Sequence, residues 1–289
     1  MIRDLQRRAV LCSWILLFLF LSSCGSSKRE QVQRDTDRGT GQAQREVEAG
    51  GFQRAIDICL EIYQKYPQDP AVRSGYIRTL ELIKDNGDRA FEKKDFGTAG
   101  NTYEILAKNW SHYENLSLSL SFKRSFLAEK VKTSRCLFVR GQVPSLLKAG
   151  EFQRAIEMYE EIYQKYPQDP ALRSGYIRTL ESIKSNGDQA FEGGDFVLAG
   201  WVYQILLKDA SSVNRLNGFR SFDKDDLTAR IKTCKKNLFE NGLKKYRSGN
   251  LDHAISIWKG ILTFDPGDQE VQRLLDRATL QLENLQKIK

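Results

Sequence analysis

Few side chains in this sequence are of the types that carry out chemistry at a reactive centre. The two histidines, His112 and His253, lie far apart along the chain, and no histidine or cysteine spacing suits a zinc site. No glycine-rich loop of the phosphate-binding kind occurs either. The residues therefore indicate no catalytic centre, metal or cofactor. We expect both histidines to have surface or packing roles and the protein not to be an enzyme.

The acidic side chains and thiols also lack a catalytic arrangement. Glu157, Glu160 and Glu161 follow the spacing of a helix surface and have basic neighbours, which favours solvated ion pairs. An odd number of thiols in an exported protein can indicate a free or intermolecular thiol. Each thiol beyond the N-terminal segment lies in a helical apolar pattern, so we expect buried, inert side chains at Cys59, Cys136 and Cys234.

The N-terminal segment has the composition of an export signal. Arg3, Arg7 and Arg8 form a basic start, and an apolar run of 13 residues follows at 9–21. A membrane-spanning helix needs about 20 apolar residues, so this run is too short to cross a bilayer. It suits the apolar region of a secretory signal peptide.

The end of that segment carries a more specific pattern, Leu21-Ser22-Ser23-Cys24-Gly25. It resembles the lipobox of bacterial lipoproteins, and the alternative is an ordinary signal peptide with an incidental cysteine. The resemblance implies removal of residues 1–23 and acylation of Cys24, which would anchor the protein to a membrane through several acyl chains, palmitate among them. Gly25 rather than aspartate resembles outer-membrane sorting, with the protein facing the periplasm; the inner membrane is the less favoured alternative.

The next stretch, 26–45, is rich in Ser, Arg, Gln, Asp, Thr and Gly and has almost no large apolar residue. This composition predicts a flexible tether with a reach of roughly 25 Å. Such a tether would hold the folded body clear of the lipid headgroups.

A duplicated segment organises the rest of the chain. Residues 52–84 recur at 152–184 with six differences in 33 positions. Apolar residues follow helical spacing throughout, and Asp69-Pro70 forms a helix start. The pattern predicts an all-α fold, with long helices at Ala71–Lys93, Phe122–Ala149, Ala171–Gly193 and Asp223–Ser248, shorter ones at Phe52–Tyr66 and Phe96–Lys108, and a last amphipathic helix at Asp268–Lys289.

Five places repeat a pattern of glycine, alanine, aromatic and aliphatic residues, although one of them has Cys59 in place of the aromatic residue. In the last, Gly242 precedes a turn at 249–251, and Ala254, Trp258 and Leu262 follow it. This pattern resembles tetratricopeptide (TPR) repeats. The resemblance implies an α-solenoid of antiparallel helix pairs, in which the alanine allows close approach and the aromatic residue fills the gap toward the next pair. The turns are spaced by 44, 56, 44 and 55 residues rather than the family's usual repeat of about 34.

These features predict the organisation of the whole chain. We expect a lipoprotein signal peptide at 1–23, a lipidated flexible tether at 24–45, helical repeat modules at 46–145 and 146–240, and a final repeat with a capping helix at 241–289. In the TPR family the concave face often binds peptides or partner helices. The resemblance makes six residues candidates for that lining: Arg73, Tyr76, Arg78, Arg173, Tyr176 and Arg178. The tyrosines could equally belong to the core.

The differences between the copies suggest two further contact residues. Leu60 becomes Glu160 and Leu82 becomes Ser182, neither on the main apolar stripe. We hypothesise that Leu60 and Leu82 contact the N-terminal helix or a partner; the alternative is drift after duplication.

The charge balance limits the classes of partner that the protein is expected to bind. The formal net charge of +8 falls to 42 − 36 = +6 once residues 1–23 are removed, and the charges are mixed in sign along the chain, without a nucleic-acid-binding stripe. We expect a lipid-anchored scaffold that binds other envelope proteins and no nucleic acid. The alternative is a binder of an anionic envelope polymer, peptidoglycan or lipopolysaccharide, whose attachment would weaken with salt.

Overall fold

The computed structural model describes residues 29–208 and 221–288. Throughout these two ranges the regular structure is helical and no strand occurs, so the all-α prediction is confirmed. The predicted signal peptide and the lipidation site at Cys24 lie outside the described residues. Within the described residues, no helix combines the length and the apolar character that crossing a membrane requires.

The helices follow one another with short connections. In chain order they are α1 (29–48), α2 (Phe52–Lys65), α3 (Pro70–Glu92), α4 (Phe96–Lys108), α5 (Trp110–Tyr113), a 3₁₀ helix (Glu114–Ser119), α6 (Arg124–Ala149), α7 (Phe152–Lys165), α8 (Pro170–Glu192), α9 (Phe196–Lys208), α10 (Lys224–Arg247), α11 (Leu251–Phe264) and α12 (Gln269–Ile288). The helices predicted from residue 52 onward are confirmed to within a few residues at each end.

The chain divides into two compact units between Phe138 and Val139, within α6. The predicted modules at 46–145, 146–240 and 241–289 stay a prediction. The core of the first unit contains an aromatic cluster in which the rings of Tyr63 and Tyr113 contact Tyr76 at centroid distances of 5.7 and 6.2 Å. In the second unit, Trp258 on α11 is fully buried beside Tyr246 of α10.

The predicted flexible tether at 24–45 is wrong for residues 29–45, because they belong to α1. One side of this helix is buried in the first unit, and its members are small or β-branched: Thr36, Gly39, Ala43 and Val47. They recur at helical spacing but include no large apolar residue, which is why the composition resembles that of a linker. Gly39 is so close to Ile62 of α2 that a Cβ at this position would overlap the isoleucine side chain.

Polar contacts also fix α1 to α2. Lys65 and the hydroxyl of Tyr66 both donate to Asp35 Oδ2 at 2.8 Å. These hydrogen bonds, that of Lys65 foremost, lower the pKa of the Asp35 carboxyl below its ordinary value. Farther along the helix, Arg54 lies 3.2 Å from Glu46. The helix is therefore attached at both ends of its buried side.

The start of α3 shows why the duplicated segment folds as it does. Asp69 accepts hydrogen bonds from the backbone N–H groups of Ala71 and Val72 at 2.9 and 3.1 Å, and Pro70 occupies the first helical position. In the second copy Asp169 accepts from the N–H of Leu172 at 2.9 Å. A side chain that caps the unpaired N–H groups fixes the residue at which each long helix begins.

Close helix contact occurs at a glycine in three of the long helices. A Cβ at Gly87 would lie 2.9 Å from the ring of Tyr103, and one at Gly187 would lie 2.9 Å from the ring of Tyr203. A Cβ at Gly242 would lie 2.7 Å from Cδ1 of Trp258. Real Cβ atoms do not approach so closely, so glycine allows the following aromatic ring to pack against the helix backbone.

A polar network reinforces the pairing of the long and short helices. In the first unit, Tyr103 donates to Asp88 at 2.5 Å and Lys84 lies 2.8 Å from the same carboxylate. Burial works against ionisation of Asp88 most strongly, but the two hydrogen bonds outweigh it and lower its pKa. In the second unit, Tyr203 and Lys184 each lie 2.7 Å from the carboxylate of Asp188.

The glycine contact yields a prediction about stability. We expect Gly242→Ala to lower the free energy of unfolding by about 1–3 kcal/mol, because the rigid, buried ring of Trp258 has no room to move. The control is Gly141→Ala in α6, where a Cβ meets nothing within 4 Å. Alanine should stabilise that helix by up to about 1 kcal/mol. Urea unfolding followed by circular dichroism measures both, and equal effects of the two variants would contradict the packing argument.

Candidate functional site

A cleft of about 400 Å³ lies between α1 and α3 in the first unit. Both helices contribute equally to its walls, and most of the side chains are polar or small. We call it the α1–α3 cleft; it is lined by Gln33, Thr36, Asp37, Thr40, Gly41 and Gln44 from α1 and by Ala71, Ser74, Gly75, Arg78, Thr79 and Leu82 from α3.

The small residues bring the two walls close together at the middle of the cleft. The methyl group of Thr40 lies so near the backbone of Gly75 that a Cβ there would overlap it. The hydroxyl of Thr79 donates to the Gly75 carbonyl oxygen at 3.1 Å, and that of Thr40 donates to the Thr36 carbonyl oxygen at 2.7 Å. The hydroxyls are thus used within their own helices, and their methyl groups are left for contacts between helices.

Two residues give the α1–α3 cleft its recognition chemistry. Arg78 is exposed, and none of the described residues forms an ion pair or hydrogen bond with its guanidinium. Leu82, one turn farther along α3, is half-buried and is the one large apolar side chain of the lining. Asp37 on the facing helix accepts a hydrogen bond from Gln33 at 2.9 Å. The cleft therefore offers a cation that pairs with no described residue, one large apolar side chain and two amides.

The sequence predictions for these residues have different outcomes. Arg78 and Leu82, predicted separately, lie in the same cleft. Arg73 is half-buried and does not line it. Leu60 and Leu82 are both half-buried, and both pack against the core of the first unit. The hypothesis that Leu82 lies beside the N-terminal helix agrees with this arrangement, since half of the lining comes from α1.

The prediction that Tyr76 and Tyr176 line a partner-binding face is wrong. Both are core residues, with 1% and 0% of their surface exposed. Burial raises the pKa of the Tyr76 hydroxyl, and this hydroxyl has no hydrogen-bond partner among the described residues. Each tyrosine lies three residues after an arginine, at the spacing of neighbours on a helix surface: Tyr76 follows Arg73, and Tyr176 follows Arg173. Both tyrosines nevertheless lie on the inward side of the long helices.

The second copy offers a matched comparison for the arginines. Arg173 donates to the carbonyl oxygen of Pro167 at 3.2 Å, so it is held within its own unit. Arg178 is exposed like Arg78, and no described residue pairs with it. At the positions that correspond to Thr40 and Gln44, the second copy has Arg140 and Pro144. The two copies therefore have an arginine at the same position, Arg78 in the first and Arg178 in the second. They differ in the residues of the helix that would face this arginine.

The copies also differ beneath the cleft, at position 59/159. In the first unit, the thiol of Cys59 donates to the Thr79 hydroxyl at 3.3 Å, and burial raises its pKa to about 11. In the second unit, Tyr159 stacks on Tyr176 with ring centroids 5.6 Å apart.

Cys59 and Cys234 are buried as expected, whereas Cys136 is half-buried. The raised pKa makes the Cys59 thiolate, the reactive form, scarce at neutral pH.

No group of three or more His, Cys, Asp or Glu side chains that could hold a metal ion occurs in the described part of the chain. His112 is exposed in α5, and His253 is exposed and lies 2.8 Å from Asn250.

The wall of the cleft that sequence reasoning missed is α1. The repeat of Thr36, Gly39, Ala43 and Val47 at helical spacing is the signal that could have found it.

The comparison with known proteins gives no relative on which a family assignment could rest. No protein-family model matches the chain, and no curated protein sequence matches it.

The burial of Tyr76 generates a prediction. We expect Tyr76→Phe to leave the free energy of unfolding unchanged or to raise it by about 1 kcal/mol, because it removes a buried hydroxyl without a partner. The control is Tyr113→Phe. It should destabilise the protein by about 1–3 kcal/mol, because the Tyr113 hydroxyl donates to the buried Leu106 carbonyl oxygen at 2.6 Å. Denaturant unfolding of both variants checks this, and a larger loss for Tyr76→Phe would contradict it.

Proposed function

We propose that this protein is a lipid-anchored scaffold of the bacterial envelope that faces the periplasm and works through protein–protein interactions. We further propose that its helices form a TPR-like solenoid. Gly87, Gly187 and Gly242 each contact the aromatic ring of the following helix, which supports this arrangement because the glycine and the aromatic residue both belong to the repeat pattern.

The observation that carries the proposal is the α1–α3 cleft. Its free guanidinium, Arg78, can donate to backbone carbonyl oxygens or to a carboxylate, and Leu82 can accept an apolar side chain. Gln33 and Gln44 supply amides that both donate and accept. A groove that combines hydrogen-bonding side chains with one apolar contact suits a segment of a partner protein, which presents backbone carbonyl oxygens and side chains together.

The start of α1 changes the geometry expected of the anchor. Arg29, the first described residue of α1, follows Cys24 by five positions. A fully extended chain of that length spans at most about 18 Å. If Cys24 carries the acyl chains, the first residues of α1 therefore stay close to the membrane surface, and a partner bound in the α1–α3 cleft would itself be near the membrane.

The docking proposal is tested by a double variant of two residues that line the cleft. We expect the double variant Arg78→Ala/Leu82→Ser to reduce the recovery of specific envelope proteins by about tenfold or more, because a charge-assisted hydrogen bond and an apolar contact are lost. The measurement is chemical cross-linking in intact cells, affinity capture and quantitative mass spectrometry. The substitution at 82 installs the residue of the second copy, Ser182, so the helix should keep its fold.

Arg178→Ala provides the matched control. It removes an exposed arginine, without a partner among the described residues, at the equivalent position of the second copy, and we expect it to capture the same proteins as the wild type. The proposal fails if the double variant, shown by circular dichroism to be folded, captures the wild-type set in the wild-type amounts. It fails equally if Arg178→Ala loses the same proteins.

The anchoring proposal has its own test. We expect Cys24→Ala to release the protein from the membrane fraction into the soluble periplasmic fraction, because the variant has no thiol to carry the acyl chains. Cys59→Ala is the control and should remain with the membranes, since Cys59 is buried in the first unit. A Cys24→Ala protein that still sediments with membranes would show that the anchor is elsewhere.

A further inference from the structure

The basic charge of the second unit is concentrated in one helix. Residues 139–289 contain 23 Lys and Arg and 20 Asp and Glu, so their net charge is 23 − 20 = +3. Within them, α10 has eight basic and three acidic residues, which gives 8 − 3 = +5. The remainder of the unit is therefore slightly acidic, with 3 − 5 = −2. The mixed signs along the sequence conceal this separation.

Some of the α10 cations have structural partners. Lys235 lies 2.8 Å from Asp265 and also pairs with Asp268 at the start of α12. Arg230 lies over the ring of Phe191, 5.2 Å from its centroid. Five others form no ion pair with any described residue: Lys224, Lys232, Lys244, Lys245 and Arg247.

Four cations lie on one side of α10. At 100° per residue, Lys232, Lys236, Lys244 and Arg247 fall within an arc of about 120° and extend over roughly 22 Å. We call these four residues the basic face. They lie opposite the side of α10 that is buried in the core. Glu240 is the one acidic residue between them, and it lies 3.9 Å from Lys236.

One hydrogen bond joins α10 to α12. Tyr246 of α10 donates to Gln281 of α12 at 2.9 Å. One turn before Gln281, Arg277 is exposed, and no described residue pairs with it. Exposed cations that outnumber the acidic residues on one rigid helix face produce a local positive potential.

We infer that the basic face binds a linear polyanion with phosphate groups along its length. Three of its four cations are lysines, whose compact ammonium groups bind phosphate as point charges and need no fixed fork geometry. The two aromatic residues of this stretch, Phe239 and Tyr246, are half-buried and lie outside the arc of the four cations, so charge rather than ring stacking dominates the face. The face is a line of charges rather than a pocket, so the ligand that complements it is an extended chain of regularly spaced charges. The basic face lies in the second unit and is independent of the α1–α3 cleft.

The test compares two variants with equal loss of charge. In the first, Lys232, Lys236, Lys244 and Arg247 are all changed to Gln. In the second, four cations without described partners elsewhere in the same unit are changed to Gln: Arg140, Lys148, Arg178 and Lys259. Binding of fluorescent linear polyphosphate to each full-length protein is measured by anisotropy at several salt concentrations.

We expect the first variant to bind polyphosphate roughly tenfold to a hundredfold more weakly than the wild type, and the second to bind almost as well. The magnitude of the slope of log K against log salt concentration should decrease by about 3 in the first variant alone. Each phosphate contact contributes about 0.7–0.9 to that magnitude, and this variant loses four cations. Equal weakening in both variants, or an unchanged salt slope in the first, would overturn the inference. Tighter binding of poly-glutamate than of polyphosphate would also overturn it, because the partner would then be an acidic polypeptide.

Discussion

Close contact between helix backbones and aromatic rings is the constraint on which this structure depends. Gly87, Gly187 and Gly242 each leave no room for a Cβ, and the following short helix lies against the long one because of it. That close spacing lets Tyr103 reach the carboxylate of Asp88 and lets Tyr203 reach that of Asp188. Two independent features of the sequence, a glycine and a Lys–Asp–Tyr network, therefore fix the same helix pairing, and a unit built this way can be copied along the chain.

The same principle explains how α1 joins the first unit. Its buried side is made of small residues, so the helix approaches α2 and α3 closely although it contributes little apolar area. Hydrogen bonds to Asp35 and the ion pair of Glu46 hold the helix in place. The α1–α3 cleft exists only because this polar helix packs against the first unit. The polar residues of α1 that line the cleft lie on the same helix, toward its outward side. In sequence, the α1 residues that line the cleft follow Cys24 by 9 to 20 positions, which would bring the proposed docking site near the proposed membrane anchor.

Much of the fold can be predicted from the sequence because its signals are local. Asp69-Pro70 fixes a helix start, and the apolar spacing from residue 52 onward fixes the helix faces. Composition alone does not reveal α1, because Thr36 and Gly39 are buried there but are typical of linkers elsewhere. The binding-face position predicted for Tyr76 is wrong and its alternative, a place in the core, is right, because Tyr76 lies one turn from Val72 and Leu80 on the buried side of α3. The basic face is hidden in the sequence because charges mixed along the chain separate only once α10 is folded.

Amide hydrogen exchange of α1 in the free, full-length protein tests the central claim most directly, because the α1–α3 cleft requires this helix. We expect amides from Thr36 to Val47 to exchange far more slowly than those of an unstructured peptide, with protection that falls toward Arg29. Gly39→Leu should abolish this protection while leaving that of α8 unchanged. Exchange of residues 36–47 at the rate of an unfolded chain would contradict the proposed docking site, since the cleft would then have only one wall.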